Sequence, residues 1–356
     1  MKKIAFLTLA LAALAASCTK EQVYSCNPGD EVHFAAGSAL GAQGTKTAYG
    51  SDGWSGEGDR RIDWQDGDLL RIACNQCENT KNAVYKAVNA QSNGQAGLEL
   101  VSPAEGLRWG TGSHTFYAAY PSTSTIAEST GTLTATVAAS QTGAASGSSS
   151  AYEVAPAMGD MILVSKKTIE PTDDGVTFDF TPLSTAIKMQ ITNNRGAAMR
   201  VASIALQSTV SQDLSGSFTA GVSSWTQSFD PHSYPTCTAS GSTSSTVTIT
   251  TTDGTNSYLE VADNGTLTAT FFLLPTADLY DLKFVITFSD SSTLSTVIKK
   301  TNGADDTANR ITFPAHKKSY VTGILVPKGI DWTSVYTHDN EDYIVEDSLT
   351  GETYWK

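Results

Sequence analysis

Between residues 176 and 220 the chain reads VTFDFTPLSTAIKMQITNNRGAAMRVASIALQSTVSQDLSGSFTA. Val176, Phe178 and Phe180 alternate with Thr177, Asp179 and Thr181, and Ile187, Met189 and Ile191 alternate with Lys188, Gln190 and Thr192. A side-chain period of two is the signature of a half-buried β-strand. Two strands are therefore expected around the step at Pro182-Leu183. A turn at 193–196 and a further strand over 201–207 follow. The polar alternates Thr177, Asp179, Lys188 and Gln190 read as a solvated face.

The same pattern runs along most of the chain. Before this block, strands are expected at 31–36 (EVHFAA), 69–73, 84–88, 98–101, 114–120, 133–137 and 161–164. After it they are expected at 214–218, 247–250, 267–274, 280–288, 294–298, 311–313 and 320–326, with 280–288 the most regular. Residues 37–61 and 141–150 are small and polar and read as exposed or mobile loops. A turn is expected at Gln65-Asp66-Gly67-Asp68, and Asp173-Asp174-Gly175 marks a junction within 166–175. No helical periodicity longer than about three turns occurs beyond the first residues. Short strands separated by turn chemistry predict an all-β protein built as a sandwich.

The length of 356 residues favours two domains over one. The expected division is 31–170 and 171–327, each a β-sandwich, with a tail at 328–356. That tail holds Trp332, Tyr343, Ile344, Val345, Tyr354 and Trp355, too many apolar groups for a plain disordered end. With 40% hydrophobic and 17% charged residues the chain can pack cores. Its formal net charge of −13 repels phosphate backbones, which argues against a nucleic-acid partner.

Residues 1–17 change the picture of destination. Lys2 and Lys3 precede an apolar run over 4–16 that is too short for an ordinary span and ends in small residues, as a secretory signal peptide does. The run ends Leu14-Ala15-Ala16-Ser17-Cys18, which resembles the bacterial lipobox. Cleavage there would leave Cys18 as an acylated N-terminus, with 18–30 as a tether. A lipid on Cys18 would hold the protein to a membrane surface.

Little catalytic chemistry is visible. The five histidines (His33, His114, His232, His316 and His338) are scattered, without i, i+4 partners. Asp63, Asp66 and Asp68 lack the spacing of a calcium loop and read as turn residues. Cys74-x-x-Cys77 matches half a zinc or redox site, but no second pair supplies the remaining ligands. A local disulfide or two thiols is the plainer reading, and the pairing of Cys26, Cys74, Cys77 and Cys237 stays open. No metal, cofactor or enzymatic activity is expected.

Several ordered pieces carry a resemblance: the lipobox, VHFAA followed by Thr45-Lys46-Thr47, IDWQDGDLLRI, LRWGTGSHTFYAAYP, TFDFTPLSTAIKMQI with DLSGSF, and KKSYVTGILV. In this order they resemble the fimbrillin family, the Mfa-like pilins and pilus-associated surface lipoproteins of Bacteroidetes-type bacteria. The resemblance implies two transthyretin-like β-sandwich domains and delivery as a lipoprotein (palmitate on Cys18) to the cell outer membrane. It also implies a structural or adhesive role in a pilus or fimbrium. Assembly would be by β-strand addition to other pilus subunits. A protease would remove the strand 31–36 by cutting at Lys46, Arg60 or Arg61, and a neighbour's tail would fill the groove. Tyr343, Val345, Tyr354 and Trp355 would anchor that donor strand, unless 343–345 and 354–355 pair as a hairpin. Thr307 and Ser348 lie in motifs similar to those O-glycosylated in such bacteria. A host or glycan receptor is a further expected partner. The competing expectation is a non-polymerising glycan-binding lipoprotein that presents Trp54, Trp64, Trp109, Trp225, Trp332 and Trp355 to sugars.

Overall fold

The computed structural model describes residues 26–37, 64–91, 94–156, 158–172, 174–228, 233–298 and 311–326. Those residues form an all-β protein. The strands of the first part are β1 (Phe34–Ala36), β2 (Leu69–Ala73), β3 (Asn82–Val88), β4 (Ala96–Ser102), β5 (His114–Tyr120), β6 (Thr125–Ile126), β7 (Thr132–Val137), β8 (Ser140–Ser148), β9 (Ala151–Pro156), β10 (Leu163–Ile169), β11 (Val176–Phe178) and β12 (Thr181–Pro182). The second part adds β13 (Thr185–Asn193), β14 (Met199–Ser208), β15 (Ser215–Gly221), β16 (Cys237–Ser244), β17 (Thr246–Thr250), β18 (Leu259–Val261), β19 (Thr266–Leu273), β20 (Leu279–Tyr280), β21 (Leu282–Phe288), β22 (Thr293–Val297), β23 (Thr312–Phe313) and β24 (Lys318–Val326).

Two large sheets organise these strands. One has the order β11-β1-β4-β3-β2-β5-β10-β12. The other runs β22-β21-β14-β17-β8-β9-β19-β13-β24, with β18 added beside β14. A four-stranded sheet, β16-β15-β7-β6, lies against the first. Pairings cross the sequence division expected at residue 170: β11 and β12 complete the first large sheet, while β8 and β9 pair with strands of the second.

Alternation explains the layers. In β5, Phe116 and Ala118 enter one core with Leu70, Ile72 and Leu163, while Tyr117 and Ala119 enter another with Leu133, Ala135, Val137 and Phe218. A strand covered on both faces has no need of polar alternates, and HTFYAAY has few. The third core gathers Ile187, Met189 and Ile191 of β13 with Ile204 and Leu206 of β14, Phe271 of β19 and Phe284 and Ile286 of β21.

Several expectations need correction. Residues 140–148 are not a mobile loop but β8, paired antiparallel to β9 and parallel to β17. Its Ser, Gly and Ala residues carry no hydrophobic period, so only its neighbours make it a strand. Residues 237–244 form β16 for the same reason, held by β15. The regular run 280–288 breaks at Asp281, whose φ of 50° ends β20 and starts β21. Lys188 is not on a solvated face: β13 lies between β19 and β24, and Lys188 is buried. Its ammonium meets Glu153 Oε1 at 3.0 Å instead of water. The first strand is also shorter than 31–36, because Asp30 and Val32 hydrogen bond to 107–109 rather than to β4, while the His33 carbonyl accepts from Val176 N.

Candidate functional site

The N-terminal arm and β1 form the arrangement most unlike ordinary scaffold. Only three residues long, β1 sits inside the first large sheet, parallel to β11 and antiparallel to β4. Its register pairs Phe34 with Val176 on one side and Leu98 on the other. Val32, Phe34 and Ala36 are buried, while His33 faces solvent. Phe34 packs edge-on to Tyr85 at 5.0 Å and Phe116 at 5.4 Å, and stacks on Phe178 at 5.7 Å. Period-two alternation thus drives one short segment into a deep core.

The ends of this strand are fastened separately. Ahead of it, Val32 N donates to Leu107 O at 3.0 Å, Trp109 N to Asp30 O at 2.9 Å, and Gly29 N to Trp109 O at 2.7 Å. The Arg108 guanidinium donates to Gly29 O at 2.7 Å. Behind it, Gly37 N donates to Phe178 O at 2.7 Å. A Cβ at Gly37 would lie 2.8 Å from Asp179 Oδ1 and 3.2 Å from the Phe178 carbonyl oxygen, so a larger residue would require the Asp179 side chain to move and the backbone at Phe178 to give slightly.

A second cluster borders the arm. Cys74 and Cys77 are both buried, and no disulfide joins them. A hydrogen bond from Cys77 holds the Cys74 thiol below its ordinary pKa and pushes Cys77 up, with burial adding to the rise. His114 lies nearby: its Nε2 accepts from Gly110 N at 2.9 Å, and its ring stacks on Phe116. Burial lowers the His114 pKa, against the opposing pull of the Gly112 and Gln76 backbones. Among the described residues no group of three His, Cys, Asp or Glu side chains could hold a metal ion. The acids of the 65–68 turn accept from backbone amides: Asp68 Oδ2 from Gln65 N within the turn at 2.7 Å, and Asp66 Oδ1 from the distant Ala90 N at 2.8 Å.

The residues expected to act fall mostly elsewhere. Cys18, Lys46, Arg60, Arg61, Thr307, Tyr343, Val345, Ser348, Tyr354 and Trp355 lie outside the described residues. So do Trp54, Trp332 and Trp355, whereas Trp64, Trp109 and Trp225 are buried at 5% exposure or less. These three cannot serve as sugar platforms: their rings face the cores. The link between Cys74, Cys77 and the arm was missed by sequence reasoning. The CxxC spacing marked the pair, but nothing local marks the partner segment 30 residues on.

No family model and no curated protein matches the chain. Among solved structures, it is similar to a candidate cell adhesion protein of Bacteroides uniformis ATCC 8492, at 17% identity and a TM-score of 0.45, over 83% of this chain and 93% of that one. A candidate cell adhesion protein of Bacteroides ovatus ATCC 8483 matches at 16% identity and a TM-score of 0.46, over 91% and 100%. A fimbrial assembly protein of Parabacteroides distasonis ATCC 8503 matches at 9% identity and a TM-score of 0.31, over 83% and 91%. The likeness is loose at these scores and transfers no property to this chain.

Proposed function

We propose that this chain is a structural or adhesive subunit of a surface filament, or an anchor associated with one. In this reading it is exported as a lipoprotein through Cys18 to the cell outer membrane and assembles by β-strand exchange. The observation that supports it is β1: a three-residue strand near the N-terminus, within a sheet, that carries Phe34 into a core. Removing such a segment would uncover the ladder groups of β4 and β11 and a pocket lined by Tyr85, Phe116 and Phe178. Unpaired ladder edges bind extended chains, and alternate side chains of the incoming strand fill core pockets. The donor would come from 328–356 of a neighbour, following β24 at the edge of the second large sheet.

The test is to treat the purified mature protein with a trypsin-like protease and follow it on gels. Cutting at Lys46, Arg60 or Arg61 with loss of the segment that carries 31–36, followed by ladders of strand-exchanged oligomers, is the expected result. If cleavage removes that segment and only monomers form at every concentration, assembly by exchange is refuted. Mass spectrometry of the surface protein would separately report acylation of Cys18.

A further inference from the structure

Cys74 and Cys77 bracket a turn at residues 75–76 that follows β2. Such a turn holds its first and fourth Cα atoms within about 7 Å, and a disulfide spans about 4.4–6.8 Å between Cα atoms. The pair therefore stands at bridging range without movement of the sheet. The loop is tightly defined. Cys74 N donates to Lys81 O at 2.8 Å, and the Lys81 ammonium donates back to Cys77 O. The Cys74 thiol contacts Gln76 Oε1 at 3.3 Å, and that oxygen also accepts from Thr115 N at 3.2 Å.

This loop shares a support with the N-terminal arm. Glu78 N donates to Arg108 O at 3.0 Å, while residues 107–109 carry the hydrogen bonds to Gly29, Asp30 and Val32. The segment 107–109 is thus clamped between loop and arm. The fit is close: a Cβ at Gly110 would lie 2.3 Å from the Gln76 carbonyl oxygen.

We propose that Cys74 and Cys77 form a thiol–disulfide exchange site, and that closing it braces the arm at 29–32 through residues 107–109. The co-reactant is a disulfide, either a small one such as oxidised glutathione or that of a dithiol oxidoreductase. Cys74 is the attacking sulfur, because the hydrogen bond from Cys77 and the Lys81 charge favour its thiolate. It attacks one sulfur of the oxidant, whose S–S bond breaks and whose other sulfur leaves as a thiolate and takes up a proton. Cys77 then gives up its proton and attacks Cys74 Sγ, expelling the second oxidant thiol. The protein loses two electrons and two protons, and the oxidant gains both as two thiols. Because both sulfurs are buried, exchange requires the loop to open.

The experiment uses the full mature chain and is independent of the proposed assembly role, since monomer suffices. Protein reduced with a phosphine is incubated with oxidised glutathione, digested and examined by mass spectrometry. Amide exchange is followed at 29–32 and 107–109 in both states. The expected result is loss of two hydrogens from the peptide carrying both cysteines, absent in Cys74→Ser and in Cys77→Ser. Exchange of the arm amides should slow about tenfold on oxidation of the wild-type chain. The wild-type comparison needs no substitution and so does not depend on the variants folding. Three results would overturn the proposal. Both thiols could stay alkylatable even after unfolding and refolding with glutathione. Either cysteine could bridge to Cys26 or Cys237 instead. Or the bridge could form while the arm amides exchange at an unchanged rate, which removes the bracing role.

Discussion

The indole Nε1 of Trp64 donates to the carbonyl of Gly37 at 3.0 Å, closing a bond between residues 27 apart in sequence. Both residues are buried. The ring also meets Phe180 at 4.9 Å and Tyr120 at 5.5 Å. It therefore ties the end of β1 to the core of the first large sheet. Trp64→Phe retains much of the apolar ring but leaves the Gly37 carbonyl unsatisfied, at a cost of about 1–3 kcal/mol. A lower urea midpoint and faster amide exchange at Gly37 are expected. Equal exchange in both proteins would mean that the bond does not hold the strand.

Phe34 is expected to dominate the binding of its own segment. Once the protein lacks residues up to Ala36, a synthetic peptide spanning 29–37 should bind back. A Phe34→Ala peptide should bind more weakly by about 3–5 kcal/mol, the usual loss for a buried phenylalanine. Calorimetric titration of both peptides measures this directly, and equal affinities would show that the groove does not read side chains.

Lys188 and Glu153 form an unequal pair, with side chains 7% and 40% exposed. Glu153→Ala leaves the ammonium buried without its carboxylate, so a loss of about 1–3 kcal/mol is expected. Adding Lys188→Met should recover most of that loss, because the buried charge is removed together with its requirement for a partner. Urea denaturation of the two single variants and the double variant tests this. A double variant no more stable than Glu153→Ala would contradict it.

Gln141 substitutes for a missing strand. β9 covers β19 only from Thr266 to Ala269. Further along, the Gln141 amide takes over, donating to Phe272 O at 2.6 Å and accepting from Phe272 N at 3.1 Å. Gln141→Leu should cost about 2–4 kcal/mol, since two buried backbone groups lose their partner. A change in urea midpoint below a tenth of the total would rule this out.

Acid stability should expose two opposing groups. Burial lowers His316 from 6.5 to about 4, where its Nδ1 lies 2.9 Å from Leu183 O and its ring stacks on Tyr234. Burial raises Asp160 from 3.8 to about 6. Between about pH 4 and 6.5 the unfolded chain binds a proton at His316 that the folded chain refuses. That contribution is complete above pH 6.5 and lost as pH falls toward 4. Asp160 has the reverse sign: the folded chain keeps a proton that the unfolded chain releases. Its contribution is complete below 3.8 and lost as pH rises through 6. Asp160→Asn should therefore make stability rise more steeply with pH than in the wild type. His316→Asn should make it rise less or fall, and Asn tolerates the φ of 62° at this position. Urea midpoints between about pH 4.5 and 6.5 test this, and parallel profiles for the three proteins would refute it.

What the sequence determined by itself is local. The alternation in β3, β7 and β21 placed those strands, because a half-buried strand writes its burial into every second residue. The Asp66-Gly67 turn was equally legible, since Gly67 takes a φ of 98° that few other residues accept. Tertiary structure decided the rest. It made β8 and β16 strands although Ser, Gly and Ala carry no period. It buried Lys188 by placing strands on both sides of β13, turned Trp64, Trp109 and Trp225 inward, and set the Cys74–Cys77 loop against the segment that holds the arm. The reason is common to all four: each depends on groups brought by distant parts of the chain. A residue's own neighbours encode its conformation, but only the packed sheets determine whether its polar atoms find water or a partner.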